Sequence, residues 1–222
     1  MHSFRDFLEA SASGAVFLVV LYGLGACADI APHDNGDAGL VRDAAGADAS
    51  EPASRYVRFV DTGAGAGTLF VDASDAERWV YVDLDAQAEV QPADPADDTT
   101  WDLAFRRFHV ASNGGVSGAG GVSVARVDGL PFVDVTLPSA ASFETDRADG
   151  EDDDALPDYV FSGGLDPWYA YDVETHVLTP KTRVFVLRTT AGAAVKVAIE
   201  RYYDDAGGSG HPTLRYARVP TP

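Results

Sequence analysis

From Tyr56 onward, no stretch of this chain repeats its apolar residues at helical spacing. Short runs of Val, Phe, Tyr and Thr are instead cut every few residues by Gly, Asp or Pro. That pattern leaves a chain of strands and turns rather than amphipathic helices. Strands are expected near 56–61, 67–72, 79–84, 101–110, 121–127, 132–136, 168–173, 183–190, 194–203 and 213–219. Gly63-Ala64-Gly65-Ala66-Gly67 and Asp128-Gly129 read as hairpin turns. Longer loops run over 91–100 and the acidic 144–158. No internal repeat is visible. The expected fold is all-β, as layered antiparallel sheets over 55–222.

The best-defined unit is the hairpin around Thr190-Ala191-Gly192. Gly192 suits the left-handed position that closes a three-residue loop with a bulge, whereas Ala191 does not suit a type I′ turn. That register puts Phe185 and Leu187 on one face with Val195, Val197 and Ile199. Lys196, Glu200 and Tyr202 fall on the opposite face, and Val184 and Val186 fall there too. The first strand is thus apolar on both sides, which is the mark of a strand covered on both faces.

The N-terminal region obeys different rules. The apolar run from Ala15 to Ala26 is too short for a bilayer, which needs about 20 residues, and matches a signal-peptide core. Leu24-Gly25-Ala26-Cys27 resembles the lipobox of bacterial lipoproteins: small residues fit the peptidase, and the Cys27 thiol accepts a diacylglyceryl group. Residues 1–26 are therefore expected to be removed, leaving Cys27 as the lipidation site. Cys27 is the only cysteine, so no disulfide framework or cysteine redox chemistry is available to the folded part. Residues 27–54 are rich in Asp, Ala, Gly and Pro and poor in large apolar side chains, the composition of a disordered tether. A flexible chain of that length spans roughly 30 Å. Ala28 follows the cysteine and the first Asp is Asp29, a pattern that resembles the outer-membrane sorting rule of diderm bacteria and implies an outer-membrane lipoprotein facing the periplasm or the cell surface.

The formal net charge is −19, and the leader holds only Arg5, Asp6 and Glu9 among charged residues, so the acidic excess persists after its removal. Such a charge repels nucleic-acid phosphates and anionic lipid heads. Nucleic acid is excluded as a partner, and the membrane is approached through the anchor alone.

Catalytic signatures are missing. Neither Gly115-Val116-Ser117-Gly118-Ala119 nor Gly208-Ser209-Gly210-His211 has the spacing of a nucleophile elbow. Gly118-Ala119-Gly120-Gly121 lacks the last glycine of a dinucleotide fingerprint and reads as a tight loop. The run from Glu144 to Asp154 lacks the alternating Asp spacing of a calcium loop and reads as a solvated acidic segment. His211, between Gly210 and Pro212, is a turn residue. His109 alternates with Trp101, Leu103 and Phe105 on one expected strand face. His176, just before the central hairpin, either stabilises a turn or acts as a ligand, and the pattern leaves both open. Trp168-Tyr169 with Tyr171, and Tyr202-Tyr203, form two aromatic clusters.

Two segments carry a family resemblance. Trp101-Asp102-Leu103-Ala104-Phe105-Arg106-Arg107-Phe108, followed by Asn113-Gly114-Gly115-Val116-Ser117-Gly118, resembles the first hallmark of HmuY-type lipoproteins. Thr182-Arg183-Val184-Phe185-Val186-Leu187-Arg188-Thr189, continuing through Gly192 and Lys196 to Tyr202-Tyr203, resembles the second. The resemblance covers about 56–219. It implies an all-β fold, anchoring through the lipidated cysteine and, in characterised members, capture of haem for a TonB-dependent outer-membrane receptor.

The family's best-known member holds haem iron between two histidines that lie between the hallmarks. Here that interval, roughly 118–181, contains only His176, and the sole methionine is Met1. Tyrosine also ligates haem iron, and Tyr159, Tyr169 and Tyr171 lie in the interval. The ligand candidates for the haem that the resemblance implies are His176, His109, Tyr171 and Tyr169; the alternative is a chain with no cofactor. The expected function is a non-catalytic, membrane-anchored lipoprotein of this type. One alternative is a surface lipoprotein of the same fold that binds another ligand or a protein partner. A second alternative, from another class, is a hydrolase built on His176 or the acidic loop, against which the missing nucleophile motif speaks.

Overall fold

The structure, a computed structural model, describes residues 54–150, 156–163 and 166–220. The expected leader, Cys27, the tether to residue 53 and the acidic run 151–154 lie outside the described residues. From Pro52 onward the chain forms one compact unit.

Among the described residues, twelve strands are arranged in three antiparallel sheets, in keeping with the expected layered all-β fold. They are β1 (Val57–Gly63), β2 (Ala66–Val71), β3 (Val80–Asp83), β4 (Ala88–Val90), β5 (Leu103–Arg106), β6 (His109–Ser112), β7 (Ser123–Asp128), β8 (Tyr169–Asp172), β9 (Val177–Pro180), β10 (Arg183–Arg188), β11 (Ala194–Tyr203) and β12 (Ser209–Arg218). A six-stranded sheet runs β1-β2-β12-β11-β10-β7, a four-stranded sheet runs β4-β3-β5-β6, and β8 and β9 pair as a ribbon. Among the described residues, no helix is long and apolar enough to cross a membrane.

One apolar core joins the two larger sheets. Leu69, Val124, Phe185, Leu187, Val195, Val197 and Leu214 enter it from one sheet, Val80, Val82, Leu103, Phe105 and Val110 from the other. Phe161 stacks on Phe185 at 4.0 Å between ring centres. The reverse face of β10 and β11 carries Val184, Val186, Ala194 and Ala198, which pack against Val135, Phe132 and Phe143 of a crossing strap. Strand β10 is therefore interior and covered on both faces, as its sequence implies.

The central hairpin has the expected register, with Phe185 opposite Val197 and Leu187 opposite Val195. Gly192 has φ +81°, and its N–H donates to the Thr189 carbonyl. Tyr202 departs from the expectation. A bulge between Ile199 and Arg201 adds a residue to β11 and inverts the facing of the residues after it. Tyr202 therefore turns into the main core rather than sharing a face with Lys196.

Three other expectations are corrected. The single strand over 101–110 is two strands, because Arg107 takes φ +53° and the chain reverses, pairing Arg106 with His109. His109 therefore does not continue the face of Trp101, Leu103 and Phe105. Residues 132–134 form a short 3-10 turn instead of a strand. The buried Lys196 ammonium binds the carbonyls of Phe132 at 2.7 Å and Val135 at 2.9 Å, occupying acceptors that a strand would need for its ladder. Finally, Asp128-Gly129 closes no hairpin: β7 pairs with β10, and the chain leaves Gly129 into the strap. Strands β4 and β9 fall outside the expected set; each is a short, partly exposed partner of a better-defined strand.

Candidate functional site

The ribbon β8–β9 begins where Trp168 anchors it. The Trp168 indole N–H donates to the Phe108 carbonyl at 2.9 Å, and Tyr169 pairs with Pro180 across the ribbon. Period-two alternation sends Tyr169 and Tyr171 to the inner side and Ala170 and Asp172 to solvent. At the tip, Asp172 Oδ1 accepts from the backbone N–H groups of Glu174 and Thr175 at 2.9 and 3.1 Å. This is the self-capping turn that Asp favours. The loop closes at His176, which sits at φ +58° and donates its backbone N–H to the Asp172 carbonyl at 2.8 Å. Glycine adopts that conformation freely, and among the other residues Asn, Asp and His adopt it several-fold more often than the rest.

That turn brings the His176 imidazole back over Tyr171, with Nδ1 2.5 Å from the phenol oxygen. Tyr171 is partly buried against the core while His176 is exposed at the tip, and Val173 and Val177, 73% and 40% exposed, are their neighbours in the chain, Val177 on the outer face with Asp172. The other expected candidates lie elsewhere. Tyr169 is buried against Trp168 and Phe108, with ring centres 5.0 and 5.7 Å apart. His109 is partly buried between Phe108, at 4.2 Å, and Tyr159, at 6.1 Å. Burial, with the Arg106 charge adding to it, lowers the His109 pKa to about 4, so this imidazole is neutral at physiological pH. The structure thus brings Tyr171 and His176 together and places His109 and Tyr169 in packed surroundings. The two expected aromatic clusters merge: Tyr202 touches both Trp168 and Tyr203, whose hydroxyl accepts from the Leu178 N–H at 2.9 Å.

A neutral imidazole or a phenol oxygen is a competent ligand for haem iron, and an exposed apolar rim suits a porphyrin face. Ligation through His176 Nε2 requires the proton on Nδ1, where it donates to Tyr171. The short contact fixes the ring in an orientation compatible with that tautomer.

Other motifs singled out in the sequence have structural work. Asn113, fully buried, holds the glycine loop: its amide donates to the carbonyls of Asp98 and Trp101 and accepts from the Gly120 N–H. A Cβ at Gly118 would lie 2.1 Å from Asn113 Oδ1, so that glycine serves close packing rather than a phosphate. Asp102, also fully buried, accepts from the N–H groups of Leu84 and Thr190, each at 2.8 Å, and so ties the four-stranded sheet to the central hairpin loop. Burial raises its pKa, opposed by these hydrogen bonds. In the sequence both residues stand out only as parts of a hallmark. An Asp or Asn flanked by strand residues is a signal for such a role, but its partners are long-range and invisible in one sequence. His211 lies between Asp72 and Asp204, at 3.6 and 3.7 Å.

Comparison with known proteins places this geometry in context. The model of the HmuY protein family matches residues 75–216, well over half of the chain. No curated protein matches it. Several solved structures share its fold. A Bacteroides fragilis protein described as a lipoprotein is 21% identical, with a TM-score of 0.53, covering 75% of this chain and 98% of its own. A Bacteroides vulgatus protein described as HmuY-like and heme-binding is 20% identical, with a TM-score of 0.50, covering 73% of this chain and 96% of its own. The apo form of an HmuY analogue from Tannerella forsythia is 16% identical, with a TM-score of 0.52, covering 75% of this chain and 99% of its own. At these identities the structural likeness speaks for the fold alone.

Proposed function

This chain belongs to the HmuY family, and from that premise we propose that it is a non-catalytic, membrane-anchored binding lipoprotein. It captures haem and passes it to a TonB-dependent outer-membrane receptor. The observation that carries the haem reading is the pairing of Tyr171 with His176 on the exposed ribbon. His176 would hold the haem iron through Nε2, and Tyr171 would orient the imidazole through its contact with Nδ1. This is a one-sided site: His109, embedded beside Phe108 and Tyr159, takes no part. A Bacteroides vulgatus protein of the same fold is described as heme-binding, and the proposal extends that ligand class to this chain.

The deciding experiment titrates haemin into the purified protein and follows the Soret band. A saturable, shifted band is expected. His176→Ala abolishes the shift, Tyr171→Phe weakens binding, and His109→Gln leaves both unchanged. An unshifted band in the native protein, or a spectrum indifferent to His176→Ala, overturns the haem reading. The latter outcome would leave His176 as a brace of the turn.

Anchoring rests on Leu24-Gly25-Ala26-Cys27. A thioether-linked diacylglyceryl group carries two acyl chains, enough for stable membrane attachment. Cys27→Ser should move the protein from the outer-membrane fraction to the soluble one. Unchanged fractionation would remove the anchor from the proposal.

A further inference from the structure

The strap that covers the outer face of the six-stranded sheet stops at Phe132, whose ring lies under the Arg215 guanidinium at 4.2 Å. Beyond it the same face is open. Strand register sets a transverse row there: Arg58 on β1 faces Phe70 on β2, Phe70 faces Thr213 on β12, and Thr213 faces Arg201 on β11. Directly opposed residues on neighbouring strands project to the same side. The row therefore runs from one arginine to another along the backbone register, with the Arg58 guanidinium folded back over the Phe70 ring. Three strand spacings separate the ends, about 14 Å. The row belongs to an open cleft of about 480 Å³, which His211 also lines.

The charges in this cleft are unevenly committed. Arg201 is held by Asp205 at 2.7 Å. Asp72 Oδ1 accepts from the Ser74 hydroxyl and N–H, and Asp204 Oδ1 accepts from the N–H groups of Ala206 and Gly208. Asp72 and Asp204 also flank His211 on its two sides. Arg58 is different. Its guanidinium lies over the Phe70 ring at 3.7 Å, and among the described residues it makes no ion pair. A guanidinium stacked on a ring is immobilised in one plane, with its N–H edge left to face a planar carboxylate in two parallel hydrogen bonds.

We infer that this cleft is a second binding site, specific for an organic carboxylate with a flat apolar body, and that Arg58 is the residue that holds the acid group. The apolar body lies beyond the guanidinium, over Thr213 and toward Tyr203 and Arg201, and the two strand spacings from β2 to β11, about 10 Å, admit one or two fused rings. The site shares no residue with the Tyr171–His176 pair, so it stands or falls independently of haem capture.

Fluorescence titration of the purified protein with 2-naphthoate tests the inference, with uncharged 2-naphthamide as the neutral counterpart. Naphthoate should saturate one site, and the amide should bind at least tenfold more weakly. Arg58→Gln, an exposed substitution, should weaken naphthoate at least tenfold with an unchanged melting temperature. Arg188→Gln, which removes a guanidinium stacked on Phe143 outside the cleft, should leave affinity as it was. Raising salt from low to high should weaken naphthoate and not the amide. No saturable naphthoate binding, equal affinity for acid and amide, or indifference to Arg58→Gln each overturns the inference.

Discussion

The hairpins β8–β9 and β10–β11 follow one another in the chain and are both closed by a residue in the left-handed region, yet they are held by different means. In β10–β11 the turn residue is Gly192, and Val184, Phe185, Val186 and Leu187 are all buried, so both faces of the strand meet packed side chains. In β8–β9 the turn residue is His176, Tyr169 and Leu178 alone are buried, and the outer face meets solvent. The first hairpin carries stability and places glycine where the backbone demands it. The second keeps His176, the side chain proposed to hold the ligand, at the corresponding position. The difference teaches where this fold can change its ligand without changing its core.

The sharpest test of that division is a pair of truncations. Phe185→Ala removes a ring stacked on Phe161 and 1% exposed, and should cost about 3–5 kcal/mol in denaturant unfolding. Val177→Ala on the ribbon, 40% exposed, should cost under about 0.5 kcal/mol. Comparable losses would mean that the ribbon is part of the core, and the division would fail.

The next contrast sets the histidines apart by acid. The folded pKa of His109 is about 4 against an ordinary 6.5, so the unfolded chain binds the proton first as pH falls. The stability that His109 permits is complete above pH 6.5 and drains away as pH drops toward 4. The drain is worth about 2 kcal/mol once partial exposure is allowed for. The stability difference between His109→Gln and the native protein should therefore shift by that amount, in the variant's favour, between about pH 7 and pH 4. Urea midpoints at the two values measure it. A pH-independent difference would place His109 in solvent and remove the contrast with the ribbon.

Gly192 probes the backbone alone, because a Cβ there would meet nothing within 4 Å. Gly192→Val should lower stability by about 1 kcal/mol or somewhat more, and Gly192→Asn by a few tenths, since Asn visits the left-handed region readily. Equal thermal shifts would contradict the turn geometry.

These cases also show what one sequence could reveal. Phe185, Leu187, Val195, Val197 and Gly192 were legible because a two-residue period and a turn rule both act within a few residues. Tyr202 was misplaced because a bulge inserts one residue without any mark in the composition. The break at Arg107 was hidden because arginine is an uncommon choice for positive φ, and the reversal is fixed by long-range contacts: its guanidinium donates to the Ser74 carbonyl and to Ser209. At the candidate site, His176 stood out by its type and place. Its partnership with Tyr171, five residues earlier, depends on a four-residue loop whose geometry only the folded chain displays.

His176 gives the smallest expected change in stability and for that reason the cleanest reading of function. Its φ of +58° costs an ordinary residue about 1–2 kcal/mol, which glycine escapes. Against that relief, His176→Gly loosens the unfolded chain by roughly 0.4–1 kcal/mol. It also forfeits an exposed hydrogen bond to Tyr171, worth about 0.5 kcal/mol. These contributions nearly cancel, so the melting temperature of His176→Gly should match the native value within the equivalent of about 0.5 kcal/mol. His176→Ala keeps the strain and loses the contact, so it should melt lower than His176→Gly. If haem is held as proposed, the shifted Soret band disappears in both variants although only the alanine form is destabilised. Fold and ligation then separate within one residue. A glycine variant that melts well below the native protein would show instead that the imidazole pins the ribbon to the domain. Position 176 would then belong with Gly192 and Phe185 on the side of stability.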